Sequence, residues 1–151
     1  MRSTGFGIIL ILFILLVIAT TFVYSPSQRY NQPDNGLTAI QGSIGFNIYN
    51  HTSSFTLEST SLEGDFESPF PPSHFILPYR SYHFELQRTP FIEHSAYVTY
   101  NVLLMTETVG SIRIRMSEYG PLQARPATEV QSINGPIRYD NGGTYVNIRN
   151  A

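Results

Sequence analysis

Two hydrophobic patterns divide the chain. From Gly5 to Tyr24 the sequence GFGIILILFILLVIATTFVY is apolar at nearly every position and carries no charged side chain. At about 1.5 Å per residue such a helix spans roughly 30 Å, the thickness of a bilayer's hydrocarbon core. From Leu37 onward, apolar and polar residues alternate in short runs, the period-two mark of half-buried strands. The expected organisation is a transmembrane anchor over 1–24, a linker over 25–36 and a β domain over 37–151. The linker, SPSQRYNQPDNG, lacks apolar periodicity and reads as an extended tether.

Within the β domain, Ile44, Phe46 and Ile48 share one face. Phe55 and Leu57 share the next, and the intervening Asn50–Ser54 turn predicts a hairpin. Ser61 to Ser73 reads as an acidic loop closing on Pro69, Pro71 and Pro72. A short strand at Phe75–Leu77 ends at Pro78. Tyr82, Phe84 and Leu86 then alternate with His83 and Glu85. Ala96 to Met105 is the most β-prone stretch, with Val98, Tyr100, Val102 and Leu104 on one face, and is the candidate central strand. Ile112, Ile114 and Met116 point inward, with Arg113 and Arg115 outward. A weak strand holds Val130 and Ile133. Ile137–Tyr139, the turn Asp140-Asn141-Gly142-Gly143 and a strand with Val146 and Ile148 inward form a second hairpin. About eight to nine short strands without a soluble helix predict an all-β fold, an antiparallel β-sandwich.

After the helix, about 125 residues remain, enough for one domain with a core and too few for two. The formal charge of −2 gives no basic field of the kind nucleic acid requires, so no nucleic-acid partner is expected. All nine basic residues are Arg, and ten Tyr and ten Phe accompany them, which favours guanidinium–aromatic stacking. The chain has no Cys, which excludes disulfides, thiolate metal sites, Cys nucleophiles and Cys acylation. An exported β domain without disulfides suits a bacterial envelope better than a small secreted eukaryotic domain.

The alternative to an anchor is a cleaved secretory signal. Signal cores are shorter, and here Phe22 and Val23 prolong the apolar run beyond Ala19-Thr20-Thr21. A cut after Ser25 would leave Pro26 first, which disfavours cleavage. Arg2 and the amino terminus precede the helix, so the positive-inside bias places the β domain outside the cytoplasm. The stretch Gly5–Ile18, with its Gly/Phe start and Ile/Leu/Phe run, resembles the hydrophobic segment of the small YjcZ-type sporulation proteins of bacilli.

Candidate chemistry is sparse. His51, His74, His83 and His94 show neither HExxH nor HxH spacing, and no cofactor or metal is expected. His83 and Glu85 lie on one strand face and can share a proton. Glu63, Asp65 and Glu67 begin like a calcium loop but lack its Gly and distal Glu, so a solvated acidic loop is the reading. No nucleophile elbow or phosphate loop occurs. Arg113 and Arg115, two apart on one face with Tyr97 and Tyr119 in reach, suit a phosphate or carboxylate ligand such as a lipid headgroup; the alternative is a solvated face whose charges discourage edge pairing. Asn50-His51-Thr52 fits a glycosylation sequon in a surface turn.

The order of features from Ile44 to Gly120 resembles an aegerolysin-type β-sandwich. The shared elements are Asn50-x-Thr52 before the Phe55/Leu57 strand, Leu62-x-Gly64 before a Pro-bearing loop, Ile76-Leu77-Pro78 before His83-Phe84, and Val98-Thr99-Tyr100-x-Val102. The resemblance implies a compact sandwich that recognises membrane lipids. The chain departs from that family in having no Trp and in carrying its own apolar segment. The expected function is a non-enzymatic, membrane-anchored extracytoplasmic binding or structural module at a cell or spore surface, meeting a lipid, glycan or protein. The alternatives are a secreted aegerolysin-like lipid-binding or cytolytic component and a small hydrolase with dispersed acids.

Overall fold

The computed structural model describes residues 2–24 and 42–151, with the helix side chains described from Gly5 to Ile18. Contacts divide the chain into two units, Met1–Ala39 and Ile40–Ala151. The first holds a single helix, α1 (Arg2–Tyr24). Its large apolar side chains, from Phe6 to Ile18, are all exposed. Among the described residues, no helix is long and apolar enough to cross a membrane. The transmembrane span expected over Gly5–Tyr24 is corrected to an apolar helix. The linker expected over 25–36 lies outside the described residues.

The second unit is a β-sandwich of two sheets. The first sheet holds β1 (Gly42–Asn50), β4 (Arg80–Arg88), β8 (Ile137–Asn141) and β9 (Tyr145–Asn150), in the order β4-β1-β9-β8. The second holds β2 (Phe55–Gly64), β3 (Phe75–Ile76), β5 (His94–Leu104), β6 (Glu107–Glu118) and β7 (Pro126–Asn134), in the order β3-β2-β5-β6-β7. The expected central strand is β5, in the middle of the larger sheet. Alternation fixes the faces: Phe46, Ile48, Phe84, Leu86, Val146 and Ile148 meet Leu57, Val98, Tyr100, Val102, Ile112, Ile114 and Met116 in a fully buried core. Each such apolar side chain contributes about 1.5–3 kcal/mol on burial.

The structure differs from the pattern-based reading at three places. β1 pairs in parallel with β9, Asn47 opposite Tyr145, whereas the other pairings are antiparallel. The acidic stretch is strand as far as Gly64. And β1 and β2 are no hairpin, because they belong to different sheets. The connection between them is held by Asn50, whose side chain is fully buried. Its Nδ2 donates to Phe55 O (2.8 Å) and Ile76 O (2.9 Å). Its Oδ1 accepts from Thr52 N–H (3.0 Å) and Thr52 Oγ1 (2.6 Å). The Asn50-His51-Thr52 sequon is therefore an internal corner, with the amide nitrogen that would carry a glycan already committed to two carbonyls. The Asp140–Gly143 turn does close a hairpin, β8 against β9.

Candidate functional site

β4 is an edge strand, and its outward row places His83 and Glu85 on the sheet surface while Tyr82, Phe84 and Leu86 point inward. After β2 the chain folds back along this edge. Glu67 N–H donates to Glu85 O (2.8 Å) and Gln87 N–H donates to Asp65 O (2.9 Å), with Phe66 bridging Leu86. Pairing then stops, because Pro69, Pro71 and Pro72 have no N–H to offer a strand. The chain leans over the edge instead. A groove of about 240 Å³ is left between Glu67–Pro72 and Tyr82–Glu85.

His74 holds the proline wall in place. Its N–H donates to Ser59 Oγ (2.8 Å). Nδ1 lies 2.9 Å from Pro72 O, which only accepts, so Nδ1 carries the proton. In the neutral ring Nε2 then accepts from the Tyr100 hydroxyl (2.8 Å). The ring stacks on Tyr82 at 3.5 Å between centroids. Burial lowers the His74 pKa, opposed by the Pro72 carbonyl, which favours this neutral form. Burial and the neighbouring Tyr82 push the Tyr100 hydroxyl well above its usual value. Phe70, half-exposed, meets Phe66 edge-on at 5.3 Å.

His83 and Glu85, which share a face by spacing, do touch: Nε2 of His83 bonds the Glu85 carboxylate, and Nδ1 lies 3.0 Å from Asn47 Oδ1. Burial raises the Glu85 pKa, but hydrogen bonds from Ser43 and His83 and the charge of His83 outweigh it, and the net shift is downward. Gly45, opposite Glu85 in register, makes room for the pair. A Cβ there would fall 2.6 Å from His83 Cε1.

Arg113 and Arg115 both bond the protein's own groups. Arg113 donates to Gln131 Oε1, Thr99 Oγ1 and Glu63 Oε2, each at 3.1 Å, and lies 4.8 Å over the Tyr97 ring. Gln131 reaches it from a bulge in β7. Arg115 donates to Glu93 Oε2 (2.8 Å) and Ser95 Oγ (3.0 Å), with Glu129 at 3.8 Å. Burial would lower the Arg115 pKa, but Tyr97 and Glu93 outweigh it and the net shift is upward. Arg113, Arg115 and Tyr97 thus come together. Tyr119 lies past the end of β6, roughly 13 Å along the strand line from Arg115, with its N–H on Arg125 O (3.3 Å). Three carboxylates, Glu63, Glu93 and Glu129, face these two guanidinium groups.

A polar cluster that spacing does not reveal lies where β4 ends and β5 begins. His94 places Nδ1 3.2 Å from Asp65 Oδ2 and Nε2 3.0 Å from Thr89 Oγ1. Opposite it in register is Glu118, fully buried. Arg88 Nε lies 3.2 Å from Glu118 Oε2, off the hydrogen-bond line, and Arg88 NH2 donates to Leu122 O (2.9 Å). This ion pair joins the two sheets. Among the described residues, no group of three His, Asp or Glu is placed to hold a metal ion.

Comparison with known proteins gives no match, whether to family models, to curated proteins or to solved structures.

Proposed function

We propose that this chain is a non-enzymatic binding module, held at a membrane surface outside the cytoplasm by its apolar N-terminal helix, and that the groove beside β4 is its recognition site. The observation that carries the binding reading is the groove's lining. Phe70 and Tyr82 line it together with Glu67 and Glu85, along a strand edge that its own loop leaves unpaired at Ser81–His83. Apolar surface with a few convergent polar groups is the usual composition of a ligand site. Support for the membrane comes from the sequence between Ser3 and Tyr24, which is uncharged, and from the exposure of the large apolar side chains from Phe6 to Ile18, which need a covering partner.

The membrane part is tested by fractionation of cells expressing the full chain. Recovery with the membranes, lost on deleting residues 5–24, is expected; a freely soluble full-length chain overturns it. The binding part is tested by NMR titration of the full chain in micelles with panels of peptides, oligosaccharides and lipid headgroups, the last prompted by the aegerolysin resemblance. Shifts confined to Glu67–Pro72 and Tyr82–Glu85 support the groove. Shifts centred on Arg113, Arg115 and Tyr97 transfer the site to that face.

A second reading, a small hydrolase, draws on one observation, the Asp65–His94–Thr89 chain, in which a hydroxyl, an imidazole and a carboxylate are hydrogen-bonded in the order a nucleophile requires. Ester hydrolysis by the full chain that disappears in Thr89→Ala would favour it over a pure binding role.

A further inference from the structure

Glu85 O and Gln87 N–H both point away from β1, since both bond to the segment at 65–67. In an antiparallel pair, residues of one parity turn both backbone groups to the same side. Ser81 and His83 share that parity, so their N–H and C=O groups face outward too. Neither has a backbone partner on that side among the described residues. The three prolines that lean over them have no N–H to give. The groove is thus the continuation of a strand pairing that Asp65–Glu67 begins and the chain then abandons.

Charge selects what can continue it. The ion pairs assign Arg113 to Glu63, Arg115 to Glu93 and Glu129, Arg88 to Glu118 and Arg149 to Asp140. Among the described residues, Glu67 has no cationic partner, and Glu85 has only His83. Two carboxylates therefore line the groove without an arginine of the described residues to balance them. A guanidinium or ammonium group fits there by carboxylate hydrogen bonding.

We infer that the groove takes an extended peptide carrying a basic side chain, which adds to β4 at Ser81–His83 as a strand and sets its Arg or Lys between Glu67 and Glu85. Addition of a strand to an open sheet edge supplies backbone hydrogen bonds for affinity and side-chain positions for selectivity. The inference rests on the groove's being the binding site and names its ligand class.

The test titrates the full chain in zwitterionic micelles with a short blocked peptide alternating arginine and valine. Two control peptides accompany it, one with glutamate for arginine and one N-methylated at alternate residues. The basic peptide should shift His83 and Glu85 resonances. The Glu67→Gln variant should bind it about tenfold more weakly, the effect of losing one charge-assisted hydrogen bond. The N-methylated peptide, which leaves the protein untouched, should lose affinity by a similar factor. Equal binding of the glutamate peptide, or indifference to both Glu67→Gln and N-methylation, overturns the inference. If the groove resonances answer to a sugar or neutral ligand and not to the basic peptide, the ligand class falls and the groove stands. If they answer to nothing in either panel, both fall.

Discussion

Asn50→Asp is the most informative single change in the domain. The side chain keeps its shape, but the Nδ2 that donates to Phe55 O and Ile76 O becomes an oxygen. Phe55 O loses one of its two donors and keeps Thr52 Oγ1, at about 1 kcal/mol, while Ile76 O loses its side-chain donor, at about 1–3 kcal/mol for a buried polar group. The accumulated loss is about 2–4 kcal/mol, a sizeable share of the roughly 5–15 kcal/mol that holds a domain together. Denaturant unfolding of the full chain, followed by tyrosine near-ultraviolet circular dichroism, should show a lower midpoint with an unchanged slope. The loss has a pH signature. A buried carboxyl facing carbonyls has its folded-state pKa raised, so it favours the folded state below the unfolded pKa and loses that contribution as pH rises. The deficit should therefore be smaller in mild acid than at neutrality. A loss below about 1 kcal/mol, set against the hydrogen-bond scale of about 1 kcal/mol each, would show that the corner between β1 and β2 does not depend on this amide.

Three further outcomes follow from the geometry. His74 has a folded-state pKa below its usual 6.5 because burial opposes its charge. Its contribution is intact above the unfolded pKa and shrinks as pH falls from there toward the lowered value; thermal melts across this window should slope downward in acid for the native chain and less so for His74→Phe. Gly45→Ala should displace His83 from Glu85, since the added carbon falls 2.6 Å from the ring, and NMR titration should then find the Glu85 pKa higher than in the native chain. Glu118→Gln should cost about 3–5 kcal/mol by leaving Arg88 buried without its partner, and the double change to Arg88→Met with Glu118→Leu should recover most of it; additive losses in denaturant unfolding would contradict the pairing.

Much of the fold is legible in the sequence because alternation reports faces directly. Ile44–Ile48, Tyr82–Leu86, Val98–Val102 and Ile112–Met116 each put their apolar members inward, and Asp140–Gly143 carries its own turn chemistry. What alternation does not report is which strand lies beside which. Phe55 follows Asn50 closely enough for a hairpin, yet a buried amide bonding Ile76, far along the chain, turns β1 and β2 into separate sheets. The parallel contact of β1 with β9 joins segments about a hundred residues apart. The candidate site divides the same way. The outward direction of Arg113 and Arg115 and the proximity of His83 to Glu85 follow from period two. The acids that occupy the arginines come from β2, β7 and the loop before β5, and the groove exists only because 65–67 folds back onto β4. These are long-range events with no local signal.

The parallel seating of Tyr145–Asn150 between β1 and β8 has a consequence for biogenesis. The smaller sheet lacks an inner member until those residues are made, and the flank of β1 that faces away from β4 stays open until they seat.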